Sequence, residues 1–118
     1  MEVHVSTTSH YVYPTTVPAS PATLADVEAF AQRWHQSQRA EWNRNGYTHD
    51  FMQHDVYNSK AVKERSKWFA VDNGPESNRS GYFMVRKADG LVFCIKAYGT
   101  PNLNKCLGHV STLFTEVS

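Results

Sequence analysis

The side chains that could hold a cation or attack a carbonyl fall in two places along this chain. His49, Asp50, His54 and Asp55 put two imidazoles and two carboxylates within seven residues, and these are ligand types of a divalent metal site. The two histidines stand five apart, whereas ligands on one helical face recur at three or four, and no third ligand follows at a matching interval. The spacing therefore predicts a polar connection, and a metal-dependent enzyme built on His49, His54 and the adjacent acids is the weakest of three functional readings. Cys106-x-x-His109, with Cys94 upstream, offers three zinc-type donors, but structural zinc sites generally use two close-spaced pairs and only one exists here. Cys94 lies between Phe93 and Ile95, where an apolar setting raises a thiol pKa and leaves a poor nucleophile. No phosphate-cradling glycine loop, Gly-x-Ser-x-Gly elbow or His-Glu-x-x-His helix occurs. Neither catalytic residues, nor a metal, nor a cofactor is assigned, and a non-enzymatic protein is expected.

A second pattern interleaves cations with aromatic rings: Lys67, Trp68, Phe69, Tyr82, Phe83, Arg86, Lys87, Lys96 and Tyr98. Single-stranded nucleic acid is held by such rings flanked by positive charge, and the candidate binding set is Lys67, Phe83, Lys87, Lys96 and Tyr98. Overall charge is +1, yet residues 1–55 carry three Lys/Arg against six Asp/Glu, and residues 56–110 nine against four. That excess is moderate and suits a solvated strand face as well as an acidic partner.

These residues must be positioned by a small number of elements. Thr23 with Asp26 three residues on reads as a capping box, and Leu24, Val27, Phe30, Ala31, Trp34 and Trp42 form an apolar stripe. A helix is expected over 24–44, stopped by Asn45-Gly46. Residues 47–66 lack a clean period, with a short helix capped by Asn58-Ser59 over Ala61, Val62 and Glu64. From Lys67 the chain alternates, Trp68, Ala70 and Asp72 on one face, Lys67, Phe69 and Val71 on the other. Gly81–Lys87 and Leu91–Tyr98 flank Ala88-Asp89-Gly90, a strong hairpin signal. A two-residue Asp89-Gly90 turn sets Ala88 opposite Leu91 and Lys87 opposite Val92. One face then carries Tyr82, Met84, Arg86, Leu91, Phe93, Ile95 and Ala97, the other Phe83, Val85, Lys87, Val92, Cys94, Lys96 and Tyr98. Gly99-Thr100-Pro101-Asn102 breaks the strand, and 108–114 supplies a last strand or a helical turn. Residues 1–22, with Pro14, Pro18 and Pro21, read as an arm, flexible or added to a sheet edge, and 23–118 as the domain.

The stretch Ser80–Gly99, with Lys87-Ala88-Asp89-Gly90 at its turn and Lys96-Ala97 near its end, resembles small uncharacterised bacteriophage proteins. These carry a strand, a Lys-Ala-x-Gly or Lys-x-Thr-Gly turn, a second strand ending in Lys-Ala, and a short basic tail. Lys67–Asp72 resembles the strand that opens that unit. The likeness spans about a fifth of the 118 residues. It implies an accessory protein that inhibits or modulates a host factor in the bacterial cytoplasm, and it carries over no catalytic residues.

The expectation is one α+β domain, an amphipathic helix packed on a three- or four-stranded antiparallel sheet behind an N-terminal arm. An apolar fraction of 41% with 19% charged residues suits a folded chain rather than a disordered one. No apolar run approaches the roughly 20 residues of a membrane span, and the first residues do not read as a signal peptide, so a cytoplasmic protein with reduced cysteines is expected. The leading function is a protein-interaction domain with a host or phage protein as partner. The alternative is a nucleic-acid-binding accessory domain.

Overall fold

A computed structural model describes the protein over residues 20–44 and 51–115, residues 51–53 by backbone alone. The 1–19 part of the arm, the Asn45-Gly46 stop, His49 and Asp50 lie outside the described residues. Two helices, α1 (Leu24–Arg44) and α2 (Phe51–Tyr57), precede five strands: β1 (Lys60–Glu64), β2 (Trp68–Asn73), β3 (Ser80–Arg86), β4 (Leu91–Ala97) and β5 (Thr100–His109). The strands form one antiparallel sheet in chain order, an α+β fold. No described helix is long and apolar enough to cross a membrane.

α1 starts where its capping box requires. The Thr23 amide donates to Asp26 Oδ2 at 2.9 Å and the Asp26 amide to Thr23 Oγ1 at 3.2 Å, which satisfies donors that the first turn leaves orphaned. The bonds from the Thr23 amide and hydroxyl hold the Asp26 carboxyl below its usual pKa. Val27, Phe30, Ala31 and Trp34 are buried against Phe69, Val71, Val85 and Val92, while Leu24, expected on the stripe, is exposed. Phe83 fills the centre of this layer, its ring 5.6 Å from Phe30 and 4.8 Å from Trp34. After β5 the chain turns back under α1, held by Arg33, which donates to the carbonyls of Leu113 (3.1 Å) and Val110 (2.6 Å).

Four expectations need correction. The sheet has five strands because 60–64, expected as a short helix, pairs with β2 from Lys60↔Asn73 to Glu64↔Phe69; the short helix lies earlier, at α2 (Phe51–Tyr57). Ala, Lys and Glu favour a helix locally, but pairing with β2 and inward packing of Val62 decide the outcome.

The Lys87↔Val92 pair is replaced by Val85↔Val92, so the loop is the four residues 87–90. Arg86 grips Asp89 through Nε (3.1 Å) and Nη2 (2.9 Å), Asp89 Oδ1 accepts from the Leu91 amide at 3.2 Å, and the Gly90 amide donates to the Arg86 carbonyl at 2.8 Å. The Lys87 amide is taken by the Lys67 carbonyl (3.0 Å) and the Lys87 carbonyl by the Ala22 amide (3.0 Å). Gly90 sits at φ +72° with Ser20 and His109 packed against its α-carbon, a place no β-carbon fits. A slip of two residues preserves side-chain parity, so the face assignments survive at all but two residues.

Those two are Tyr82 and Tyr98. Val71 pairs with Phe83 and Asp72 with Gly81, leaving Tyr82 in a bulge that turns it to the helix side, 5.2 Å from Trp34. The tight two-residue turn belongs to Tyr98-Gly99, with Ala97 opposite Thr100 and Gly99 at φ +78°. β5 therefore begins at the segment expected to break the strand. Its extra residues are absorbed as register shifts between Thr100 and Gly108.

No described helix covers the second face, yet Ala70, Met84 and Phe93 are buried there. The sheet curls until Lys63 of β1 donates to the hydroxyl of Tyr98 beyond β4 (2.9 Å), which in turn donates to Asp72 Oδ2 (2.9 Å). Gly81 gives the Tyr98 ring its place: an added β-carbon would come within 2.9 Å of Tyr98 Cδ1 and 3.0 Å of Ile95 Cδ1. At the other end the Arg86 guanidinium lies over Phe93 and Trp68, 4.9 and 5.7 Å from the ring centres.

Candidate functional site

The five candidate binding residues are not assembled into one platform. Phe83 is part of the layer under α1. Lys87 pairs with Glu64 at 2.8 Å and lies over the Phe69 ring at 5.0 Å. Lys67 and Lys96 are exposed, and strand alternation puts Lys96 on the side of Phe83 and Val92. Tyr98 is 52% exposed, but its ring lies against Gly81 and Ile95 on the opposite face and its hydroxyl is committed to Asp72.

The cysteine reading is also redistributed. Phe93 pairs with Cys106, so Cys94, next along β4, points to the other face. Burial pushes both thiols above the ordinary range. His109 is buried and faces Ser111 Oγ (2.8 Å) and Ser20 Oγ (3.1 Å) instead of a metal-type neighbour.

What the tertiary structure assembles is a polar junction where α1, α2 and β1 meet. Asp55 Oδ1 lies 2.9 Å from both His35 Nε2 and His54 Nδ1 and 3.4 Å from Arg39 Nε. The hydrogen bond from His54 acts foremost, with that from His35, to hold the Asp55 carboxyl below its usual pKa. His35 Nδ1 faces the Asn58 carbonyl at 3.2 Å, and the same carbonyl accepts from Lys60 Nζ. Lys60 also donates to Gln38 Oε1 and to Asn73 Oδ1 (2.6 Å), and its ammonium lies 4.3 Å above the Trp34 ring. His35, Gln38 and Lys60 carried no signal as site residues, since, apart from the local Lys60–Asn58 bond, their partners lie 13 to 23 residues away.

Burial lowers the Lys60 pKa from 10.5 to about 8. The unfolded chain keeps this proton up to 10.5 while the folded one releases it near 8, so unfolding takes up a proton between those values and stability rises with pH across them. Allowing for solvent access to the amine, the expected gain is about 1–2 kcal/mol. Urea titrations at pH 8 and pH 10 should show it in the wild type, and a Lys60→Met protein should lack that increment.

The second feature of this region is an open groove between α1 and β1, lined by Glu28, Ala29, Ala31 and Gln32 on the helix and Lys60 and Val62 on the strand. The Gly74 amide donates to the Ser59 carbonyl and the Arg65 amide to the Trp68 carbonyl, each at 2.8 Å. Bonded pairs in an antiparallel ladder alternate, so Ser59, Ala61, Lys63 and Arg65 turn their backbone groups toward β2. Lys60, Val62 and Glu64 turn theirs outward, beside the groove. Among the described residues no strand pairs with that edge.

The site and fold together define a small α+β domain with a part-buried polar junction and, among the described residues, an unpaired β1 edge beside a helix. No protein-family model, curated protein or solved structure matches the chain.

Proposed function

We propose that this is a non-enzymatic protein-interaction domain that captures an extended peptide segment by adding it as a strand to β1, in the groove beside α1. The observation that carries this reading is the contrast between the sheet's two edges. β5 holds Pro101 and three register shifts against β4, features that discourage a further strand. β1 pairs with β2 without a shift, contains no proline, and its lysines are turned to internal partners, Lys60 to Gln38 and Asn73, Lys63 to Tyr98. Strand addition supplies main-chain hydrogen bonds for affinity, and the flanking wall selects side chains. Ala29 and Ala31 leave that wall shallow, and Glu28 and Gln32 give it polar ends. In the setting that the hairpin resemblance implies, the segment belongs to a bacterial host protein that an accessory phage protein modulates. Of the residues proposed for the nucleic-acid alternative, Phe83 packs under α1, which favours the peptide reading.

Selection of random dodecapeptides on the immobilised protein, followed by amide chemical-shift mapping of a winning peptide, tests this. Shifts are expected to concentrate at Ala29, Gln32, Lys60, Val62 and Glu64. A Val62→Pro protein loses an outward N–H without touching the β1–β2 ladder, and its affinity should fall at least about tenfold, equivalent to about 1.4 kcal/mol. Shifts confined to another surface, or an unchanged affinity in a folded Val62→Pro protein, would refute the groove. Submicromolar binding of a single-stranded oligonucleotide with a steep salt dependence would promote the nucleic-acid reading instead.

A further inference from the structure

The junction of α1 and α2 holds a second arrangement, independent of the groove. His35 Nε2 and His54 Nδ1 each stand 2.9 Å from Asp55 Oδ1, the two imidazole centres are 5.2 Å apart, and one ligand atom from each of the three residues lies within 4.8 Å of the others. Ligand atoms around one tetrahedral cation, at bonds of about 2.0–2.1 Å, stand roughly 3.3 Å from one another.

The chemistry around His35 is the stronger argument. One of its nitrogens faces the Asn58 carbonyl and the other the Asp55 carboxylate, and both are acceptors only. A neutral imidazole has one N–H and one lone pair, so it cannot satisfy both. Either the ring is a full imidazolium, or Nδ1 donates to the carbonyl and Nε2 presents its lone pair to a cation shared with Asp55. The second is the usual setting of a metal-bound histidine, whose other nitrogen donates to a backbone carbonyl or carboxylate. His54 is 1% exposed, and the nitrogen it turns toward Asp55 is Nδ1, so a cation shared with His35 and Asp55 is met by a ring held in place by burial.

We infer that His35, His54 and Asp55 form a binding site for a divalent transition-metal ion of the zinc class. Two imidazoles and one carboxylate suit zinc better than magnesium or calcium, which prefer oxygen shells. Asp55 is about half exposed, which leaves a solvent-facing position for a fourth, water ligand. The neighbouring Arg39, 3.4 Å from Asp55 Oδ1, shares that carboxylate and lowers the affinity of the site. Its function is to tie α2 to α1. His54 and Asp55 were visible in the chain as ligand types, but His35 lies 20 residues from Asp55, and two adjacent ligands do not by themselves make a linear metal motif.

The test uses the full chain stripped with chelator and titrated with zinc chloride, with magnesium and calcium arms in parallel. One equivalent of zinc should bind, and at a free concentration 100 times Kd the melting temperature should rise by on the order of 10 °C. Cobalt(II) should develop visible absorption bands of a low-coordinate nitrogen/oxygen site. His35→Gln and Asp55→Asn should each weaken zinc binding at least about tenfold, while His109→Gln, at a distant buried histidine, should leave it unchanged. His54 is buried too deeply for its removal to be informative, so His35→Gln decides. Absence of zinc binding below roughly 10 μM, or binding that His35→Gln and Asp55→Asn leave intact, would overturn the site and identify the trio as a hydrogen-bonded clamp.

Discussion

Trp34→Ala should lower the unfolding free energy by about 3–5 kcal/mol, the largest effect expected from a single substitution here. Trp34 is buried on α1 and its ring meets Tyr82 at 5.2 Å, Phe83 at 4.8 Å and Phe114 at 6.5 Å. Removing it empties the middle of the helix–sheet layer and strips the apolar contacts from three neighbouring rings. It also takes away the π face under the Lys60 ammonium, 4.3 Å away, which is worth about 0.5–2 kcal/mol at a partly desolvated site. A domain of this size has roughly 5–15 kcal/mol in total, so the variant should unfold at markedly lower urea. Trp34→Phe, which keeps a ring for the neighbours and for Lys60, should lose less than half as much. Equal losses for both would mean that the ring contacts do not hold this layer.

The second large effect is expected on the face that no described helix covers. Tyr98→Phe removes one oxygen atom from a residue that is half exposed, and a surface position would ordinarily tolerate this within about 0.5 kcal/mol. Here the hydroxyl donates to Asp72, which is 1% exposed and whose cationic neighbour, Lys63, stands 3.8 Å away. Losing that donor leaves a buried carboxylate short of a partner, and the expected cost is about 2–3 kcal/mol. In an Asp72→Asn background the acceptor is neutral, so the same Tyr98→Phe change should cost about half as much. Chemical denaturation of the four proteins of this cycle measures the difference directly. A Tyr98→Phe cost below 0.5 kcal/mol would show that the Lys63–Tyr98–Asp72 chain does not close the sheet.

Legibility in the sequence followed the range of the interactions. The helix over 24–44 was readable because its start depends on two residues three apart and its face on steps of three and four. The side-chain parity of β2, β3 and β4 was readable because alternation is intrinsic to a strand, and it tolerated the two-residue slip in register. The slip itself was not readable. Asp89-Gly90 has the composition of a two-residue turn, but the grip of Arg86 on Asp89 and the claims of Lys67 and Ala22 on the Lys87 backbone widen it to four. β1 was hidden for a related reason, since its own residues prefer a helix and only the ladder to β2 makes them a strand.

The candidate sites divide along the same line. Phe83 belongs to the aromatic pattern that suggests a binding surface, yet nothing local states which sheet face α1 will cover, and it covers Phe83. His54 and Asp55 were visible as possible ligands, but their third partner comes from α1. The sequence by itself determined the α+β class, the helix, its capping box and the alternation of the central strands, because each rests on contacts within a few residues. The tertiary structure decided the β1 edge, unpaired among the described residues, the burial of Lys60 and the meeting of His35 with His54 and Asp55. Those depend on which distant segments pack together, a choice made by the burial of the whole apolar layer and not by any local pattern.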